Sequence, residues 1–136
     1  MTIKQLTVFL ENRTGRINEV AKILGASGIN MKAFSMAETS DFGLLRLIVS
    51  DVDKAVQVLR DASFAVMLTD VACISATNVP GSLSVILDRL AANDIFIEYM
   101  YAFSEGDMAN IVIRTNDLDR CIAILRECQC TLIETV

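Results

Sequence analysis

Residues able to carry chemistry are sparse in this chain of 136 residues, and histidine is absent altogether. That removes the usual general base, the commonest metal ligand and the near-neutral pH switch. Four cysteines are present, Cys73, Cys121, Cys128 and Cys130. They could be drawn as disulfides, or Cys128-Gln129-Cys130 as a metal or redox motif. No CxxC spacing occurs, however, and Cys121 and Cys128 share one apolar helical face, which suits small buried hydrophobes kept reduced. Asp51 with Asp53 and Asp117 with Asp119 look like paired carboxylates for acid–base or Mg²⁺ chemistry. Both pairs open predicted helices, where an acid complements the helix dipole. Asp41-Phe42-Gly43 has the letters of a kinase motif with no other kinase element beside it, and reads as a hairpin end. No nucleophile stands with a base. The expectation is a chain that is not an enzyme and holds no metal or cofactor.

Two loops carry a different chemistry. Glu11-Asn12-Arg13-Thr14-Gly15-Arg16 precedes one predicted helix, and Asn78-Val79-Pro80-Gly81-Ser82-Leu83 precedes another. Gly15 and Gly81 let backbone amides approach a ligand, and the helix N-terminus behind each favours a carboxylate. Asn12 and Asn78 can each donate and accept, which matches an amino acid's two ends. The other reading is turn and cap chemistry, since Asn tolerates turns, Pro suits a first helical turn and Gly relieves strain.

These loops recur because the chain repeats itself. At an offset of 66 residues the halves agree without a gap: Asn12 falls on Asn78, Gly15 on Gly81, Leu24 on Leu90, Ile29 on Ile95, Asp51 on Asp117 and Arg60 on Arg126. Each half reads as the same series of elements. Lys4 to Leu10 alternates as a strand, and Arg16 to about Ser27 has helical periodicity that stops at Gly28. Ile29 to Ala37 and Phe42 to Val49 form a hairpin through Glu38-Thr39-Ser40-Asp41. Asp51 opens a helix to about Ala62, and Phe64 to Leu68 closes the unit. The second half gives strand Val71 to Ala76, helix Gly81 to Asn93, strands Ile95 to Phe103 and Ala109 to Thr115, helix Asp117 to Cys128 and strand Cys130 to Thr135. The order βαββαβ, twice, predicts an α+β fold of two ferredoxin-like units side by side, antiparallel sheets with both helices on one face. Residues 1–70 form the first expected domain and 71–136 the second, joined through Thr69-Asp70-Val71 without a flexible spacer.

Composition bounds the partners. The chain is 53% hydrophobic and 6% aromatic with a single proline, so its apolar content is aliphatic and disorder is not expected. Its apolar runs are far shorter than the ~20 residues of a membrane span, and the N-terminus enters a strand pattern without leader character. The expectation is a cytoplasmic protein that binds no membrane. A net charge of -5 argues against nucleic acid. All of that imbalance lies in residues 71–136, which hold four Lys/Arg and nine Asp/Glu. Tyr99, Tyr101 and Phe103 share one strand face where the first half has Ala33, Ser35 and Ala37. Leu44, Arg46 and Ile48 alternate with Leu45, Leu47 and Val49, which predicts an apolar sheet face left uncovered by the helices and hence a homodimer built on it.

With these units, the segments Glu11 to Ile17 with Gly28-Ile29-Asn30, and Asn78 to Leu83 with Asp94-Ile95-Phe96, make the chain resemble a tandem ACT domain protein. ACT domains are amino-acid-sensing regulatory modules, and the resemblance covers almost the whole chain. Ala37 to Gly43 is similar to the hairpin of free-standing tandem members that carry no catalytic domain. The resemblance implies paired domains with ligands bound between the first loop of one and the second strand of its neighbour. Carried over, the binding residues are Asn12 and Asn78 in the loops and Asn30 on the strand. The sequence departs from the pattern at Phe96, which matches Asn30, and at Thr14, which matches Pro80. Two unequal sites are therefore implied, Asn78 with Asn30 for a polar head and Asn12 with Phe96 either for a more apolar group or left empty. The function implied is a regulatory sensor of a free amino acid, with ligand sites between its repeats. The alternative is an assembly or regulatory subunit that docks on a metabolic enzyme through an exposed sheet face.

Overall fold

A computed structural model describes residues 2–38, 41–127 and 130–133 of the chain. The chain divides into two compact units, Lys4–Thr69 and Asp70–Thr135, with Met1–Ile3 grouped with the latter. The first unit contains β1 (Ile3–Glu11), α1 (Arg16–Ala26), β2 (Met31–Glu38), β3 (Phe42–Val49), α2 (Val52–Asp61) and the first part of β4 (Ala65–Thr77). The second contains the remainder of β4, α3 (Ser82–Ala92), β5 (Ile97–Glu105), β6 (Met108–Thr115), α4 (Leu118–Glu127) and β7 (Thr131–Leu132). The folds of both units are mixed α/β with antiparallel strands, as expected.

In the first unit the strand order is β2-β3-β1-β4. Leu6, Val8 and Leu10 of β1 lie with Leu45, Leu47 and Val49 of β3 against Val20 and Leu24 of α1 and Ala55 and Leu59 of α2. Helix α2 begins where the sequence places it, because the Asp51 carboxylate accepts from the Lys54 amide at 3.2 Å. In the second unit β4 lies between β6 and β7, with β5 outermost beside β6. Ile74, Ile111 and Ile113 pack there with Ile86 and Leu90 of α3 and Cys121, Ile124 and Leu125 of α4. Asp117 caps α4 as Asp51 caps α2, accepting from the Arg120 amide at 3.1 Å.

Three expectations are corrected. Thr69-Asp70-Val71 is not a connection between two strands, because Ala65–Thr77 is one strand of 13 residues and the unit boundary falls inside it. With no Gly or Pro to break it, and with Val66, Thr69 and Val71 favouring extended backbone, the strand continues. The sheet face away from the helices is not a wholly uncovered apolar surface either, although Leu44, Arg46, Tyr99, Tyr101 and Phe103 on it are only half-buried. Gln5 and Thr7, with Ala33 and Ile48, are buried within the chain, as are Cys73 and Val112 at the corresponding face of the second unit. The exposed apolar side chains include Phe34 and Met36 of β2, which pair with Leu47 and Leu45 and so face the helix side yet lie outside the core cluster. Finally, the closing strand expected over Cys130 to Thr135 is limited to Thr131–Leu132 among the described residues.

Cys73 and Cys121 are buried free thiols, and Cys130 is half-buried. Burial pushes the Cys73 thiol up to about 11, and burial also raises that of Cys121. Cys128 and the centre of the Glu38 to Asp41 hairpin lie outside the described residues. Among the described residues no group of three or more His, Cys, Asp or Glu is arranged to hold a metal ion. Among the described residues no helix is long and apolar enough to cross a membrane.

Candidate functional site: two loops, two cavities

Helices α1 and α3 begin differently from α2 and α4. Gly15 is the N-cap of α1 at φ 90°, Gly81 is that of α3 at φ 89°, and neither helix has a side-chain cap. A left-handed φ suits glycine and leaves no side chain between the helix end and what lies in front of it. The first amide of each helix donates weakly to its own loop, Arg16 to the Arg13 carbonyl at 3.4 Å and Ser82 to the Val79 carbonyl at 3.3 Å, which leaves the next amides of the first turn for an acceptor, with the helix dipole favouring a negative one.

In front of α1 lies a cavity of about 720 Å³ lined by Leu10, the loop Glu11 to Gly15, Arg16 to Asn18, Ala21, Met36 and Glu38. The strand register explains this grouping. Glu11 lies opposite Phe42, and Glu38 opposite Gly43, so the end of β2 arrives beside the end of β1. Gly43 allows a close approach, since a Cβ there would sit 2.7 Å from the Met36 methyl and 4.0 Å from Asn12 Oδ1. Arg16 is held at the cavity edge by a 2.6 Å ion pair with Glu19 and a weaker one with Glu11 at 3.9 Å. Its guanidinium lies 4.3 Å from the centre of the Phe64 ring. Its Nε is buried and has no hydrogen-bond partner among the described residues. Arg13 also pairs with Glu11, at 3.4 Å. The cavity thus presents both signs of charge, a composition suited to a zwitterion.

Beside α3 lies a smaller cavity of about 310 Å³, lined by Ala76 to Val79, Ser82, Leu83, Met100 to Ala102, Ala109 and Ile111. The Asn78 amide nitrogen of the backbone donates to the Asp107 carbonyl at 2.9 Å, which ties this loop to the β5–β6 turn. Among the described residues no charged side chain lines this cavity. The sequence reading gave the polar head to the Asn78 loop, whereas the charged lining surrounds the Asn12 loop.

Of the residues expected from sequence, Glu11, Asn12, Arg13, Thr14, Gly15 and Arg16 all line the first cavity. Asn78, Val79, Ser82 and Leu83 line the second, while Pro80 and Gly81 shape its loop without lining it. Asn30 and Phe96 line neither cavity. Both are exposed at the start of a second strand, where Asn30 exchanges hydrogen bonds with Ser50 and Phe96 with Asn116. Within the first unit, Asn30 is separated from Glu38 by the length of β2, roughly 25 Å. Met36 and Glu38 were missed as lining residues. Both were within reach of the sequence, because an antiparallel β1-β3-β2 order brings the end of the second strand back to the first loop.

The comparisons with known proteins agree with this architecture. The family model described as an ACT domain pair matches residues 1–135. The crystal structure of protein BT0572 from Bacteroides thetaiotaomicron is similar at 50% identity and a TM-score of 0.93, over 98% of this chain and 92% of that one. The ligand-free regulatory subunit of aspartate kinase from Thermus thermophilus shares the fold at 14% identity and a TM-score of 0.67, over 91% of each chain. The regulatory subunit from Thermus flavus does so at 14% identity and a TM-score of 0.63, over 91% of this chain and 90% of that one. A search of curated proteins returned no match. The chain belongs to the ACT domain pair family.

Proposed function

We propose that this protein is a non-catalytic regulatory sensor that binds a free amino acid at the loop preceding α1, at the loop preceding α3, or at both, with each ACT domain built on one repeat. The observation that carries this reading is the doubled helix start: an uncapped N-terminus behind a left-handed glycine, facing a cavity, in both repeats. Helices α2 and α4, by contrast, each start with an Asp whose carboxylate accepts from an amide of the first turn, and this difference supports the reading. The fold shared with two aspartate kinase regulatory subunits supports a role in amino-acid metabolism. Binding would favour one conformation or assembly by its differential affinity, and the bound state would be read by a partner such as a metabolic enzyme. The same reading has the chain in the cytoplasm as a homodimer, which sedimentation analysis checks. The alternative is an assembly or regulatory subunit that docks on a metabolic enzyme through the sheet face, where Leu44, Arg46, Tyr99, Tyr101 and Phe103 are half-buried.

Calorimetric titration and thermal shift against the twenty proteinogenic amino acids test the proposal. A ligand at a hundred times its Kd adds about 2.7 kcal/mol of stability, visible as a raised Tm. Silence from all of them at millimolar concentration refutes it. Asn30→Ala and Phe96→Ala then separate a site confined to a loop and its cavity, whose Kd they leave unchanged, from one that includes the strand starts.

A further inference from the structure

The two cavities share a backbone and differ in chemistry. The Arg13 amide donates to the Glu11 carbonyl at 2.8 Å and the Val79 amide to the Thr77 carbonyl at 2.9 Å. The Glu19 amide donates to Gly15 and the Val85 amide to Gly81, again at matching positions of the repeat. On this common scaffold the charged residues of the first cavity, Glu11, Arg13, Arg16 and Glu38, correspond to Thr77, Val79, Ser82 and Ser104. Every charge has been lost, although the second half carries the whole net charge of -5 elsewhere.

We propose that the second cavity is a site for an amino acid with an uncharged, apolar side chain, a ligand class different from that of the first cavity. The proposal rests on the sensor reading above and adds to it which class each repeat accepts. At the loop end, Asn78 lines the cavity with a side chain able to donate and α3 has no side-chain cap, so a carboxylate finds donors there. Beyond that end the walls are Leu83, Met100, Tyr101 and Ile111, which match an aliphatic or aromatic group. A second charge on the ligand would be stripped of water with no ion to meet it. The volume, about 310 Å³, lies at the small end of the ~300–1,000 Å³ typical of ligand sites. In the first cavity the preference reverses, because an apolar group would desolvate the Arg16 guanidinium and the Glu38 carboxylate without pairing them.

Calorimetry on the full chain uses L-leucine and L-phenylalanine as apolar probes and L-lysine and L-aspartate as charged ones. Ala102→Phe fills the second cavity from an exposed strand position that tolerates an aromatic residue. Ser82→Arg restores to the same cavity the cation of the first repeat. Both variants should weaken the apolar probe at least roughly tenfold and leave the affinity of a charged probe unchanged, with Tm confirming that each folds. An apolar probe whose affinity neither variant alters overturns the assignment. Binding of charged probes alone also overturns it while the sensor reading stands, and no binding of any of the twenty amino acids overturns both.

Discussion

Gly15→Ala perturbs the start of α1 through the backbone alone. The residue sits at φ 90° and ψ -6°, and an added Cβ would meet no atom within 4 Å. No steric clash, lost contact or lost charge enters, so the whole cost is that of holding an L-residue in the left-handed region, about 1–2 kcal/mol. Gly25 supplies the internal control. It lies on α1, exposed, with no positive φ and with nothing within 4 Å of an added Cβ. There the methyl group only restricts the unfolded chain and improves helix propensity, so Gly25→Ala stabilises by about 0.5–1 kcal/mol. The same chemical change ten residues apart in sequence should therefore act with opposite signs, separated by roughly 2 kcal/mol. For a unit of this size 1 kcal/mol moves Tm by about 4–8 °C. Urea and thermal unfolding followed by circular dichroism measure both variants under one set of conditions. Shifts of the same sign would refute the assignment of Gly15 to a strained N-cap. A ligand that needs the first amides of α1 should also lose affinity in Gly15→Ala and keep it in Gly25→Ala.

Other consequences of the structure are as readily checked. Asp51→Ala and Asp117→Ala should each cost about 1 kcal/mol in denaturant unfolding, with Asn at either position retaining most of it, because each carboxylate accepts one amide at its helix start. Arg16→Ala should cost about 1–2 kcal/mol, since it uncovers the Phe64 ring and removes the pair with Glu19; the denaturation midpoint reads this directly. Cys73, with its thiol pushed up to about 11 by burial, should resist alkylation at pH 8 in the folded protein and react once urea unfolds it. Peptide mapping by mass spectrometry should find half-buried Cys130 modified before Cys73. The raised value also sets a sign: between about pH 9 and 11 the unfolded thiol gives up its proton while the folded one keeps it, so Cys73 contributes stability below pH 9 that is lost as pH rises through 11.

Much of the fold was legible because it is written in local chemistry. Apolar periodicity and the helix-opening Asp51 and Asp117 marked α2 and α4 to within a residue or so of their observed starts. Gly15 and Gly81 marked the starts of α1 and α3. The gapless repeat doubled the weight of each signal. Strand continuity was less legible. Thr69-Asp70-Val71 sits where one repeat ends and the next begins, and a repeat boundary invites a break that the extended backbone of β4 does not make. Residues of the loops were found for the first cavity because they are consecutive. Met36 and Glu38 were missed because they reach the first cavity through strand register, which no short window of sequence contains.

By itself the sequence determined the family, the duplicated order of elements and the two glycine loops, all of which depend on spacing along the chain. Only the tertiary structure decided how much of the sheet face opposite the helices is buried. Burial depends on what the rest of the chain places against a residue, and alternation in a strand says only that two faces exist. It also decided which loop is surrounded by charge. Arg16 gains its meaning from Phe64 and Glu19, and the second cavity its apolar character from Met100 and Ile111. These neighbours come together because antiparallel pairing folds distant strand positions onto one end of a sheet.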